Sequence, residues 1–219
     1  MTGEIAEIAL FTVACAAAAT ALMLLPGIAV AWLLARRRFH GKAVVETIVS
    51  LPLVVPPVAT GLILLWLFGR RGPIGRALES VGIEIVFTPA AVVLAMTVMG
   101  LPLLVRTARA GFEQVTRRYE QIAETLGAAP WRVFSTVTLP LASRNILAGA
   151  LLGFSRALGE FGATIVVAGS IPGRTRTLAV GIYSFTETNQ DRQAALLLVV
   201  SVCIAFAAVL ASNRLAREA

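Results

Sequence analysis

Residues 120–140 read EQIAETLGAAPWRVFSTVTLP, a polar stretch set between long apolar runs. Arg117 to Leu126 is rich in good helix formers, and Ile122 and Leu126 fall four apart on one face. Gly127 stands where a helix end favours a left-handed residue. Pro130 suits the first turn of a second helix, where its missing N–H costs little. Trp131, Phe134 and Val137 follow at three-residue spacing, and Pro140 is expected to resist continuation. The pattern predicts two short helices meeting at an angle. Small residues Ala123, Ala128 and Ala129 leave the corner open to close approach by another protein. An amphipathic connector lying on a lipid surface is the alternative reading.

The flanking composition places this hairpin in a membrane protein. The chain has 219 residues, 58% hydrophobic and only 14% charged, too few charges for a water-soluble domain of that size. Apolar runs of about 20 residues are long enough to cross the hydrocarbon core as helices. Five spans are expected: Ile8 to Ala35, with a bend at Pro26-Gly27; Val44 to Phe68; Ile85 to Val105; Ile146 to Ala168; and Ala194 to Ala211. The segment 177–186 is too short to span and reads as re-entrant or interfacial, or as part of a sixth span. The start, MTGEIAEIAL, lacks the positive region of a secretory signal and reads as the beginning of a retained helix. The expected fold is an all-α polytopic bundle.

Charge sets the expected orientation. Arg36, Arg37, Arg38 and Lys42 fall on one side, with Arg106, Arg109, Arg117, Arg118, Arg132, Arg144, Arg214 and Arg217. Arg70, Arg71, Arg76, Arg174, Arg176 and Arg192 fall on the other. The richer side is the cytoplasm, which puts the hairpin and C-terminus inside and the N-terminus outside. The net charge of +7 is spread over loops between spans, which argues for lipid headgroups and against nucleic acid. Cys15 and Cys203 lie within apolar spans and read as small buried hydrophobes. His40 reads as a headgroup-facing residue in a basic loop. There is no HExxH, no Gly-rich phosphate loop and no serine elbow, so no motif for ATP hydrolysis or metal catalysis is present.

Two stretches inside spans carry polar chemistry. SLPLVVPPVATG, residues 50–61, puts Pro52, Pro56 and Pro57 in the second span. Prolines free backbone carbonyls that another helix or water must satisfy. That serves a pathway or gate, and equally a packing kink. RALGEFGAT, residues 156–164, places Arg156 and Glu160 four apart on one helix face of the fourth span. Ionisable groups there face protein or water, either locking helix packing or serving transport. Gly159 and Gly162 allow close backbone approach. In the turn-rich loop GSIPGRTRT, Arg174 and Arg176 read as solvated charges or as a lure for an anion or binding protein.

The hairpin resembles the coupling motif of permease subunits in ATP-binding-cassette importers, EAA-x3-G-x9-I-x-L-P. Ala123 and Gly127 match its core, and Val137-Thr138-Leu139-Pro140 its end. Gln121 departs from the family's Glu; Glu120 is adjacent but points elsewhere on the helix. RALGEFGAT resembles permeases for tetrahedral oxyanions, and LPLVVPPVATG and SIPGRTRT are similar to the molybdate subfamily. Tungstate is not separated from molybdate, and sulfate is the runner-up. The resemblance implies a single permease domain over 1–219, with residues 106–145 forming the cytoplasmic loop that holds the hairpin. Gln121, Ala123, Glu124, Gly127, Ala128 and Arg132 would couple to an ATPase. Pro52, Pro56, Pro57, Arg156, Glu160, Gly162 and Thr164 are the pathway or gate candidates. It further implies a homodimer in the bacterial inner membrane, two ATPase subunits that bind ATP and Mg, and a periplasmic binding protein. No cofactor or metal is expected in this chain. The rivals are a passive channel, which needs no docking hairpin, and an intramembrane enzyme, for which no nucleophile–base pair is apparent.

Overall fold

The computed structural model describes residues 2–218, with side chains from residue 3 to 210. Among the described residues there is no strand. The helices are α1 (Thr2–Arg36), α2 (Lys42–Val54), α3 (Pro57–Phe68), α4 (Pro73–Glu79), α5 (Pro89–Gln114), α6 (Arg117–Thr125), α7 (Pro130–Val133), α8 (Leu139–Leu158), α9 (Gly162–Val167), α10 (Leu178–Glu187) and α11 (Asp191–Glu218). A π turn, Phe134–Thr138, joins α7 to α8.

The centre is the trio α1, α5 and α8. A Cβ built on Gly100 would lie 3.1 Å from the Gly153 carbonyl oxygen and 3.2 Å from Met23 Sδ, so the α5 and α8 backbones meet directly and the Met23 side chain of α1 packs against both glycines. One apolar cluster joins Met23, Ala31 and Leu34 of α1 to Leu104, Ala108 and Phe112 of α5 and Ala142 and Ile146 of α8, at the hairpin end. A second cluster, toward the far end, joins Cys15, Ala16 and Ala19 to Ala91, Val92, Met96, Ala157 and Ala163.

Four helical stretches are long and apolar enough to cross a membrane: α1, α5, residues 130–158 and α11. The expected second span is broken rather than continuous, with α2 and α3 meeting at 116°. Val55 and Pro56 are both extended because each precedes a proline, and that position disfavours helical backbone. Val45 and Val49 of α2 pack at the hairpin end, whereas Leu64 and Phe68 of α3 pack in the far cluster. The bent pair therefore touches both ends of the bundle, and counted as one span it makes a fifth beside the four long stretches. Pro52 does not end α2.

Several expectations are corrected. Residues 106–145 are not one loop. α5 continues to Gln114, and the helix begun at Pro130 runs through Pro140 as one stretch to Leu158. Pro140 does not stop it because the preceding turn opens to π geometry: the Leu139 N–H donates to the Phe134 carbonyl, five residues back. The fourth span, expected as one helix over 146–168, is interrupted at 159–161. Cys15 is buried, but Cys203 is exposed on α11. The segment 177–186 falls almost wholly in the ten-residue α10 (Leu178–Glu187), capped by the Thr177 hydroxyl and packed through Leu178 and Phe185 against Ile8 and Leu197, so it adds no sixth span.

Candidate functional site

The hairpin corner is built from backbone hydrogen bonds. Gly127 has φ +85°, the left-handed value its position called for. Its N–H donates to the Glu124 carbonyl at 2.9 Å, and the Ala128 N–H donates to the Ala123 carbonyl at 3.0 Å, closing the end of α6 in a Schellman motif. Ala129 is extended and Pro130 opens α7. Gln121, Glu124, Gly127 and Arg132 are exposed, with Ala123 and Ala128 half-buried. Leu126 is 83% exposed and Trp131 75%, so large apolar side chains project from the corner without a partner in this chain. Tyr119, Ile122, Leu126, Val137, Pro140 and Leu141 line an apolar groove of about 480 Å3. This shape, an apolar groove beside projecting apolar side chains, suits docking. Glu120 does not replace the missing Glu at 121: it turns inward, 3.0 Å from Arg36, and accepts a hydrogen bond from Thr138.

The second site is the meeting of the two interrupted helices inside the bundle. A Cβ on Gly162 would fall 2.7 Å from Pro57 Cβ, and one on Gly61 would fall 2.7 Å from the Ala163 carbonyl oxygen. The starts of α3 and α9 are thus in direct contact, held there by two glycines. Arg156 and Glu160 do pair, at 2.7 Å between Nη1 and Oε2. They do not share an unbroken helix, since α8 ends at Leu158. Glu160 sits in the break, 1% exposed, and its Oε1 accepts from the Ala163 N–H at 2.8 Å. The carboxylate therefore satisfies an opening N–H of α9 and faces a cation at the same time. Its Oε2 makes a charge contact but no aligned hydrogen bond, and the fully buried Thr164 Oγ1 has no hydrogen-bond partner. Pro56 and Pro57 are exposed, and Pro52 is half-buried.

Residues 27–217 match the family described as binding-protein-dependent transport system inner membrane component. The chain belongs to this family. It is therefore a multi-pass inner membrane permease. The permease is 47% identical over 193 residues to the molybdenum transport system permease protein ModB of Escherichia coli K12, covering 87% of this chain and 84% of that one. It is 46% identical over 196 residues to ModB of Mycobacterium tuberculosis, covering 90% and 74%. Its fold matches the inward-facing MetNI methionine ABC transporter at a TM-score of 0.75 and 17% identity, covering all of this chain and 97% of that one.

Within the permease, the coupling candidates fall together on one exposed corner, and Arg156, Glu160, Gly162, Thr164 and Pro57 gather at the second site. Arg176 is neither solvated nor free. It lies over the Phe185 ring at 5.2 Å, donates to Ser170 Oγ and sits 3.6 Å from Glu4. Arg174 remains exposed. The inward network of Arg36, Glu120 and Thr138 has no local sequence signal, because Arg36 and Glu120 come from distant segments.

Proposed function

We propose that this permease is the membrane subunit of an ATP-driven importer of a tetrahedral oxyanion, with molybdate as substrate and tungstate accepted. The names of its relatives carry the substrate: both ModB proteins are molybdenum transport permeases, at identities that cover most of each chain. Sulfate is the runner-up. The chain has no phosphate-binding motif, so ATP and Mg would be held by a separate ATPase subunit. The exposed corner at Gly127, with Gln121, Ala123, Glu124, Ala128 and Arg132 around it, is the surface that would dock on that subunit. A second copy of the permease and a periplasmic binding protein complete the complex. The charge distribution supports a cytoplasmic hairpin and an outside N-terminus.

A dianion crossing the membrane needs weak, exchangeable contacts, because strong binding along a pathway would prevent release. Arg156 is the one arginine within the expected spans, and Glu160 already neutralises most of its field. Selection is thereby left mainly to the binding protein. The α3–α9 contact, with Pro52, Pro56, Pro57, Gly162 and Thr164, is the region whose rearrangement would open the path.

The test is uptake in vesicles containing the full complex. Molybdate should enter only with ATP in the ATPase-side compartment and binding protein on the other face. Uptake without ATP would defeat the pump, and sulfate outcompeting molybdate with the native binding protein would overturn the substrate. Orientation is read separately, with Cys15 and Cys203 replaced by alanine. Pro172→Cys should react with an impermeant thiol reagent in intact cells and Thr125→Cys should not; reversed labelling would invert the topology.

A further inference from the structure

We propose that Arg36 is a positioning residue that ties the hairpin to α1, so that a displacement of the hairpin is delivered to that 35-residue helix. This rests on the importer reading above. α5 and α8 are joined to the hairpin by the chain itself; α1 is not, and meets it near its last turn through Trp32, the Arg36 side chain and the Arg36 carbonyl.

Arg36 is the final residue of α1, and its side chain is 10% exposed. Nη2 donates to the Val115 carbonyl at 2.8 Å, at the end of α5, and lies 3.0 Å from Glu120 Oε1 on α6. The same carboxylate oxygen accepts from Thr138 Oγ1 in the π turn at 2.6 Å. Arg117 Nη2 donates back to the Arg36 carbonyl at 3.2 Å. One guanidinium thus gathers the ends of α1 and α5, the start of α6 and the π turn. One turn earlier, Trp32 meets Phe134 edge-on at 5.6 Å, and Phe134 is 6.3 Å from Phe112. Both contacts fall on the same Nη2 nitrogen, whose two hydrogens can serve the carbonyl and the carboxylate at once.

The junction is held but not sealed. Arg36 Nε is buried without a hydrogen-bond partner, and a cavity of about 330 Å3 opens beside it, lined by Arg36, Glu120, Gln121, Pro130 and Phe134. The hairpin therefore has room to move against α1 while the charge contact persists. Fully satisfied, close-packed junctions transmit motion as one rigid body. This one can rotate about the guanidinium and still pull.

The experiment uses the whole complex in vesicles and measures molybdate taken up per ATP hydrolysed, together with copurification of the ATPase. Arg36→Met should still copurify and hydrolyse ATP, while uptake per ATP falls about tenfold, the scale of one lost charge-assisted hydrogen bond. Glu120→Gln, which keeps an acceptor but loses the charge, and Thr138→Val should lower the ratio by smaller factors, and Arg36→Lys should recover part of it. A merely structural role would lower uptake, hydrolysis and copurification together and leave the ratio unchanged, which overturns the proposal. If Arg36→Met fails to assemble, Glu120→Gln and Thr138→Val decide by the same ratio. The wild-type arm separates the two readings: uptake there that ignores ATP defeats the importer reading itself.

Discussion

Two of the corners that the chain turns between helices around a glycine, at 126–130 and at 159–162, are made differently. The outer corner closes on backbone alone: the Gly127 and Ala128 N–H groups satisfy carbonyls of α6, and a Cβ on Gly127 would meet nothing within 4 Å. The inner corner recruits a side chain, with Glu160 satisfying the Ala163 N–H and facing Arg156, and it leaves Thr164 Oγ1 unpartnered. A corner whose backbone needs no side chains frees them to face another protein. A corner that depends on a buried carboxylate is sensitive to whatever competes for that charge, which is the property a gate requires.

The sharpest way to break this contrast is to fill the inner corner. Gly61→Val would drive atoms into the Ala163 backbone, with Ala163 Cα at 2.8 Å from the new Cβ as well. The expected loss is about 3 kcal/mol, read as a large fall in melting temperature of the purified protein. A melting temperature equal to wild type would mean that α3 and α9 do not hold each other. Glu160→Ala comes next. It removes the cap and leaves Arg156 without its carboxylate; because Arg156 is 28% exposed, water offsets part of the penalty. About 2 kcal/mol is expected, with Glu160→Gln milder because its amide oxygen can still accept from Ala163. Equal melting of the two variants would assign the effect to the charge alone.

The outer corner should respond in activity more than in stability. Gly127→Val strains a left-handed residue by about 1–2 kcal/mol without any clash. Insertion should be normal while transport and binding-protein-stimulated ATP hydrolysis are lost, and Gly127→Asn should retain part of both. Intact stimulated hydrolysis in Gly127→Val would remove the corner from the coupling path. The smallest effect is expected from Pro140→Ala, within about 0.5 kcal/mol, since the π turn already accommodates the ring. A clear gain in melting temperature would instead identify Pro140 as a source of stored strain.

The outer corner was legible in the sequence because its causes are local. A glycine needed for positive φ and a proline at a first helical turn act on their own residues. The 116° bend was legible in part, since the prolines marked a break but not its angle. The inner corner was not legible. Gly159 and Gly162 are tolerated inside helices, and what interrupts this one is tertiary: α3 crosses at Gly162, and Glu160 turns to cap. Pro140 misled for the converse reason. Its local rule is sound, but one widened turn upstream satisfies it. Arg36 was read as a loop charge, because nothing near it in sequence announces Val115, Glu120 or Thr138. Cys203 was read as buried from the apolarity of α11, yet this helix turns most of its surface away from the rest of the chain.

The π turn at Phe134–Thr138 also sets a register. In an α-helix each residue advances the surface by about 100°, so a single extra residue would swing everything beyond it to another face. The widened turn absorbs that residue instead, and the docking corner and the membrane rod keep separate angular zeros along one continuous helix. Deleting one residue from 134–138 would let the turn close to α geometry with both zeros preserved. Closing it without a deletion would turn Arg156 about the rod axis by about 100° relative to Gly127. The length of this turn, rather than any side chain in it, fixes which face of α8 lies in line with the hairpin corner.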